Sequence, residues 1–427
     1  MSDLTARVSE AVAAYREEAI WLFTHLIRFQ STYGNERPVV DFAHDYCRAF
    51  VDEAALVPFP PGIEKDEDYT FCEHPVPYDG RPNLVLRHRG SGGGLALRNL
   101  GEAGRSVILQ SHLDVVPADD TWPDAFEPRV EGDLVIGRGA CDAKGSCVSL
   151  ILALRAVRDL GLRLRGEVEA QLVIEEEVGG NGALALLLDG HRADAAVICE
   201  GTNLQIHPAN RGAIWFRLRV VGKSVHMGRA HEGVNAIEKV AALFPALRAY
   251  EDRLVAESQG HPLFARYQRP VQLNIGMIRG GDWPSTVAGE AVLEGGVGFL
   301  PNKPMAAIKE ELRQVIEAAA DDWTRSHYQL DFPKLHNDAY EDDPDHPAVQ
   351  ALAGACGEAG LNSEVFGWNV SCDARLYHHR GKMPTIVFGP GSISDAHAAG
   401  EKISVAQILD AARATVLFLA RWCGVAE

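Results

Sequence analysis

The chain has 427 residues, 46% of them hydrophobic and 23% charged, and a formal net charge of −18. That length carries about two domains, each with its own core. The sign of the charge makes nucleic acid and anionic membranes poor partners, while a local site can still take an anion.

In chain order, the first 31 residues are charged throughout and place Val8, Val12, Ile20, Leu22, Phe23 and Leu26 at helical spacing. This predicts an amphipathic helix and not a secretion signal. The Pro- and acid-rich stretch 58–82 predicts a long surface loop. Apolar runs at 83–90, 106–114, 166–177, 194–201 and 384–391 predict strands, with a helical pattern over 143–162. Such interleaving predicts an α/β domain with a mostly parallel sheet flanked by helices. The middle differs: 213–224 alternates apolar and polar, a helix follows near 235–256, strands at 271–281 and 290–301, and a helix at 303–323. This order predicts a smaller inserted α+β domain at 210–328, leaving 1–209 plus 329–427 as the larger, metal-binding catalytic domain. A further loop is expected at 337–347. No run of about 18 apolar residues is present to span a membrane. The eight cysteines, Cys47, Cys72, Cys141, Cys147, Cys199, Cys356, Cys372 and Cys423, form no CxxC pair. They are expected to be reduced thiols of a cytoplasmic protein.

Residues able to bind metal cluster just past the predicted strands. His112 and Asp114 end one, Glu175, Glu176 and Glu177 end another, and Glu200 ends a third. Asp142 opens the helical pattern and His397 follows the last strand. In open α/β sheets, sites are built at the carboxyl ends of strands. Each residue alone has a plain structural reading: a core histidine, a solvated acidic face, a helix cap. Together they form a hard-to-borderline ligand set suited to zinc, manganese or cobalt, and such cations would offset the cost of burying so many carboxylates.

The stretches RPNLVL (81–86), QSHLDVVP (110–117), GRGACDAKG (137–145), EEEVGGNG (175–182), CEGTN (199–203), GKSVHMG (222–228), GVNAI (233–237), DARLY (373–377), VFGPG (387–391) and DAHAAGEKIS (395–404) run in order along nearly the whole chain. In these the chain resembles the metal-dependent hydrolases that include acetylornithine deacetylase, succinyl-diaminopimelate desuccinylase, aminoacylase and glutamate carboxypeptidase. The resemblance implies a zinc-peptidase-like catalytic domain and a ferredoxin-like inserted domain that serves as lid and dimer contact. It implies one or two divalent metal ions, with Asp142 bridging, His112 and Glu200 completing one site and Glu177 and His397 the other. It further implies Glu176 as general base, Asp114 orienting His112 through its second ring nitrogen, and Glu175 in support. His226 would be given by a partner subunit of a homodimer to stabilise the oxyanion. Arg375 is a candidate substrate or structural contact.

Four departures from the family pattern bear on substrate. Ser285 and Ala288 stand where Asn and Pro are usual, Gly298 where many members carry a carboxylate-gripping Arg, Gly201 where Pro is common, and Ala399 and Gly400 precede Glu401 in place of the usual residues. The metal and base positions are intact. Arg211, Arg279 and Arg375 are candidates to replace the missing grip, and Trp283 and Trp368 either line an aromatic pocket or pack in a core. The expected activity is hydrolysis of the C–N bond of a small N-acyl compound. Alternatives are a dipeptidase or carboxypeptidase, release of an amine from an aromatic or heteroaromatic substrate, and a catalytically inactive metal-dependent binding protein.

Overall fold

The computed structural model describes residues 2–72, 74–91, 104–118 and 120–426. It divides into two compact units: Met1–Ala209 with Asp342–Trp368 and Cys372–Glu427, and Asn210–Glu341 with Asn369–Ser371.

The first unit is built on a six-stranded sheet. Its strands are β1 (Glu53–Val57), β2 (Asn83–His88), β3 (Val107–His112), β4 (Val168–Val173), β5 (Ala196–Ile198) and the strand Thr385–Val387. The spatial order is β1-β2-β4-β3-β5 and then Thr385–Val387. From β4 onward every pairing is parallel, and only the β1 and β2 edge is antiparallel. Each residue of β3 and β4 is buried, as expected of parallel strands covered on both faces. Two of their polar members are bonded internally: Gln110 donates to Asp373 Oδ2 at 3.0 Å, and Tyr377 donates to Gln171. Helices Gly145–Asp159 and Val405–Trp422 supply much of the covering core.

Register positions the site. His112 pairs with Val173, and Gln110 pairs with both Gln171 and Ile198. The chain therefore leaves β4 at Ile174 and β5 at Cys199 on either side of His112. Asn83 closes the end of β4: its Oδ1 accepts from Ile174 N at 3.1 Å, and its Nδ2 donates to Gly182 O at 2.9 Å. The helix Asn181–Leu188 thus presses on the strand end so closely that a Cβ on Gly182 would lie 2.0 Å from Ile174 O.

The second unit carries an antiparallel sheet of β6 (Gly212–Val221), β7 (Leu273–Gly280), β8 (Glu290–Phe299) and β9 (Tyr328–Asp331), ordered β7-β8-β6-β9, with His336–Asn337 also on β6. Helices Ala236–Ala242, Phe244–Ser258 and Met305–Ala319 lie between these strands in sequence. The order β-α-β-β-α-β is the split βαβ, ferredoxin-like arrangement.

Three elements differ from expectation. The N-terminal pattern is two helices, Ser2–Ala13 and Arg16–Arg28. The 58–82 stretch is not simply surface: Phe59, Ile63, Tyr69 and Thr70 are buried, and it contributes side chains to the site below. Residues 329–341, expected with the larger domain, fall in the second unit because β9 pairs with β6, Leu330 opposite Leu218. No helix among the described residues is long and apolar enough to cross a membrane.

Gly182→Ala should lower stability by about 1–3 kcal/mol, the usual cost of forcing a methyl group into a packed contact. Urea unfolding reads this directly. An unchanged midpoint would show that the helix can withdraw from Ile174.

Candidate metal centre

Two groups of donor atoms share one residue. His112, Asp142 and Glu200 each place a ligand atom within 4.8 Å of the others, and so do Asp142, Glu177 and His397. Asp142 Oδ1 lies 3.0 Å from His112 Nε2, and its Oδ2 lies 3.1 Å from His397 Nε2. One carboxylate thus faces both groups. Asp142 does not cap the following helix: it sits in an irregular turn (φ −135°, ψ 88°), and Lys144 precedes the first helical residue.

His112 is fully buried, and its Nδ1 lies 2.9 Å from the main-chain oxygen of Asp114. A carbonyl oxygen only accepts, so Nδ1 carries the proton and Nε2 is left with a lone pair. That lone pair faces Asp142 Oδ1 and, at 3.7 Å, Glu200 Oε1. Three acceptors cannot meet in a buried space unless a proton or a cation lies among them. Among the described residues, buried Glu200 Oε1 has no hydrogen-bond donor. The donor set therefore fits a divalent cation.

Asp114 does more than orient the ring. Its carboxylate is 3.4 Å from His112 Nδ1, further than its main-chain oxygen. It also accepts from the amides of Glu176 at 3.3 Å and Glu177 at 3.1 Å. It thereby fixes the turn after β4 against the end of β3.

The three glutamates of that turn diverge. Glu175 adopts a left-handed backbone (φ 64°) and turns inward, a conformation that costs a non-glycine residue free energy and needs support. Arg81 Nη2 lies 2.8 Å from Glu175 Oε1, while Tyr78 and Asn181 donate to Oε2 at 3.0 and 3.1 Å. Arg81 is itself held on the other side by buried Glu36, through Nε at 2.9 Å and Nη2 at 2.5 Å. Glu177 faces His397 Nε2 at 3.1 Å. Glu176 belongs to neither donor group and stands beside them, partly exposed.

Electrostatics reflect the crowding. Burial, with the neighbouring carboxylates, pushes Glu176 and Glu200 well above the usual carboxylate range and Glu177 up to about 7. Asp373 rises to about 7, chiefly by burial against the opposing pull of Arg375. Burial disfavours a charged His112, but Glu200, Asp114 and Asp142 override it and raise the ring well above its ordinary value. His397 rises to about 10 through its contacts with Asp142 and Glu177. Asp142 alone is lowered, its burial outweighed by His112 and His397. Without a cation, the surrounding carboxylates draw both histidines towards their protonated forms.

The remaining candidates are placed as follows. Arg375 is 3% exposed and donates to Gly179 O at 3.0 Å, bracing the glutamate turn. Trp368 is buried and stacked on His207, a packing role, whereas Trp283 is 68% exposed and belongs to no core. In the second unit His226 is exposed and its Nδ1 accepts from Gly228 N at 3.1 Å, so the neutral ring directs an Nε2–H outward. Ser285 O accepts from Met227 N at 2.9 Å, and Arg279 lies exposed on β7. The Gly298 departure has a structural cause: a Cβ there would lie 2.6 Å from Arg211 Nη1. Arg211 fills that space, donates to Gln272, and has an Nε with no partner among the described residues.

Sequence reasoning missed Arg81, Tyr78, Asn83 and Asp373. Three of these lie within quoted matching stretches (RPNLVL and DARLY), but none is a ligand type in a ligand pattern. Tyr78 lies in the stretch expected to be surface loop.

A mostly parallel α/β sheet with two donor groups sharing a carboxylate at its strand ends defines a metal-dependent hydrolase. The family model for Peptidase family M20/M25/M40 matches residues 108–421, and the chain belongs to that family. It is 27% identical over 370 residues to N-formyl-4-amino-5-aminomethyl-2-methylpyrimidine deformylase of Bacillus subtilis, covering 81% of this chain and 84% of that one. It is 27% identical over 320 residues to acetylornithine deacetylase of Aliivibrio fischeri, covering 72% and 79%. The di-peptidase Dug1p from Saccharomyces cerevisiae shares the fold, with a TM-score of 0.73, 14% identity and 100% of each chain covered. The protein is a metal-dependent amidohydrolase acting on C–N bonds, of a family that binds one or two divalent metal ions.

A carboxyl group whose folded pKa is raised binds its proton more tightly when folded, so its contribution is full below the unfolded pKa and lost as pH rises through the folded one. Glu177 and Asp373 place that loss between about pH 5 and about pH 8. The raised histidines act with the same sign, and Asp142 acts oppositely only in acid. Metal-free protein should therefore lose thermal stability across this window, and the gain on adding metal should widen with pH. Melting curves with and without chelator check this, and a metal-free midpoint that rises with pH contradicts it.

Proposed function

We propose that the protein removes a small acyl group, formyl or acetyl, from the nitrogen of a compact amine. The reading rests on one observation above the rest: Glu176 stands beside two donor groups that share Asp142 without belonging to either. His112, Asp142 and Glu200 would hold one cation, and Asp142, Glu177 and His397 the other. Zinc, manganese or cobalt suits this nitrogen and oxygen set, which lacks thiolate. Bound there, such a cation would lower the pKa of water and polarise the amide carbonyl.

The chain's own groups do the rest. Glu176 takes a proton from the attacking water as the new C–O bond forms. It gives that proton to the nitrogen as the C–N bond breaks, yielding a carboxylic acid and an amine. Its raised pKa suits both halves near neutral pH, since a carboxylate of ordinary acidity would be a weak base here. Keeping base and ligand on separate, adjacent residues preserves that basicity. Asp114 holds both residues of the pair by their amides.

In the second unit, His226 would offer its outward Nε2–H to the oxyanion, as donated by the partner in a homodimer. Exposed Met277 and Ile278 on edge strand β7 support a contact with a second copy there. Ser285 and Trp283 stand as further substrate contacts. Arg211 is the foremost candidate for an anionic substrate group, since no carboxylate pairs with it among the described residues. Eight free cysteines suit a cytoplasmic protein.

The likeness to a deformylase named for a pyrimidine substrate gives a heteroaromatic amine a specific claim beside N-acyl amino acids. Matched pairs decide: N-formyl and N-acetyl amino acids, the same compounds without the carboxylate, and N-formyl aminomethylpyrimidines. A preference for the carboxylate members assigns amino-acid deacylation with Arg211 as grip. Turnover of the pyrimidines alone assigns the heteroaromatic branch. Hydrolysis of none of them removes the small-acyl reading. Glu176→Gln should cut kcat by about 10²–10⁴-fold with metal content unchanged, and substantial surviving turnover would show that another group is the base.

A further inference from the structure

Glu401 is 1% exposed, and donors surround its carboxylate. Oε1 accepts from the amides of Cys141 at 2.9 Å and Asp142 at 3.2 Å. Oε2 accepts from the amide of Gly139 at 3.1 Å and from Arg138 Nη1 at 2.9 Å. A carboxylate has about four lone-pair sites, so these donors leave none for a cation. That separates Glu401 from Asp142, Glu177 and Glu200, although it too is a deeply buried carboxyl group.

The local fold brings this about. Lys402–Ser404 pairs antiparallel with Leu134–Ile136, and Gly137 N donates to Glu401 O at 2.9 Å. The 137–142 loop then wraps the carboxylate, turning at Gly139, where φ is 80° and a Cβ would lie 2.6 Å from Val115. On its other side Glu401 N donates to Ala398 O at 3.3 Å, closing the turn that carries His397, itself left-handed at φ 58°. One buried carboxylate therefore ties the amide of Asp142 to the loop of His397.

We infer that Glu401 is a positioning residue for the second donor group, setting Asp142 against His397 through the backbone. The first group shares Asp142 and so depends on Glu401 through that one donor, while its other two, His112 and Glu200, are placed by the register of β3 and β5; the second group has both Asp142 and His397 tied to Glu401. The inference rests on the reading that both groups hold cations, and the test separates the two.

The full chain, stripped of metal, is titrated with Co²⁺ and followed by calorimetry and visible absorption. Wild type should take up two equivalents, and His397→Ala defines loss of the second. Glu401→Gln keeps size but brings an NH2 against donors. It should weaken one equivalent about 10–100-fold, the usual effect of removing a group that orients a ligand, and the other several-fold less, since only Asp142 of the first group is tied to Glu401. Glu401→Asp, which keeps the charge but shortens the reach, should show the same pattern and serves if the amide does not fold. Equal weakening of both equivalents would reveal a general structural role, and wild-type binding of both would show none; either overturns the inference alone. A wild-type chain that binds no Co²⁺, or a single equivalent, overturns the two-cation reading with it.

Discussion

The first unit is organised around a repulsion. Asp142, Glu176, Glu177 and Glu200 converge at the ends of parallel strands, where water is scarce and like charges reinforce one another. Nothing in the apolar strands stabilises such a cluster, and only His112 and His397 among its ligand types can carry positive charge. Two divalent cations would match the charge of these four carboxylates. The surroundings are arranged accordingly: each group is held by contacts that leave its outer lone pairs free. His112 commits its Nδ1 to a carbonyl, Glu200 keeps an oxygen without a donor, and Asp142 is held by its amide and not by its carboxylate.

That arrangement needs anchors of a different kind, carboxylates turned towards backbone amides, hydroxyls and guanidinium groups of the protein. Asp114, Glu175 and Glu401 fill this role at the glutamate turn and at the Asp142 loop. Asp114 accepts two amides, Glu175 is gripped by Arg81, Tyr78 and Asn181, and Glu401 accepts three amides and a guanidinium. Acidic residues in this unit thus divide by how many donors reach them. Those met by several protein donors hold the backbone, Glu401 with four of them, and Asp142, Glu177 and Glu200 face the cation positions. The division explains why three consecutive glutamates can end one strand: the left-handed turn at Glu175 sends its side chain away from the other two.

This division is what the sequence hides. The parallel sheet was legible because fully buried strands such as VILQSH and the VEAQLV strand read as continuous apolar runs with few interruptions. The donor groups were legible because ligand residue types fall just past those runs. Support was not. Arg81 and Tyr78 approach Glu175 from a stretch whose prolines and acids suggest an exposed loop, and Glu401 lies in a matching stretch where nothing in the sequence assigns it a partner. Their roles depend on which backbone amides lie within reach, and spacing along the chain carries no record of that. The extent of the second unit was misjudged for a similar reason: β9 is four residues long, and only its pairing with β6 assigns it.

The same reasoning bears on substrate choice. At position 298 the usual reading of glycine is loss of a function, since it can grip nothing. Its neighbour changes the argument. Arg211 occupies the volume in which a side chain at 298 would begin, so a large residue at 298 and this placement of Arg211 exclude each other. Arg211, the residue before β6, thus sets a guanidinium beside Gly298 of β8, where it donates to Gln272 and pairs with no carboxylate among the described residues. A cation held without a protein counter-ion, its Nε unsatisfied, is costly unless something else supplies the anion. The bond that is cleaved follows from the donor groups of the first unit, whose residues the departures leave in place. Family membership thus carries over the reaction, and Arg211 is the group proposed to set the choice of amine.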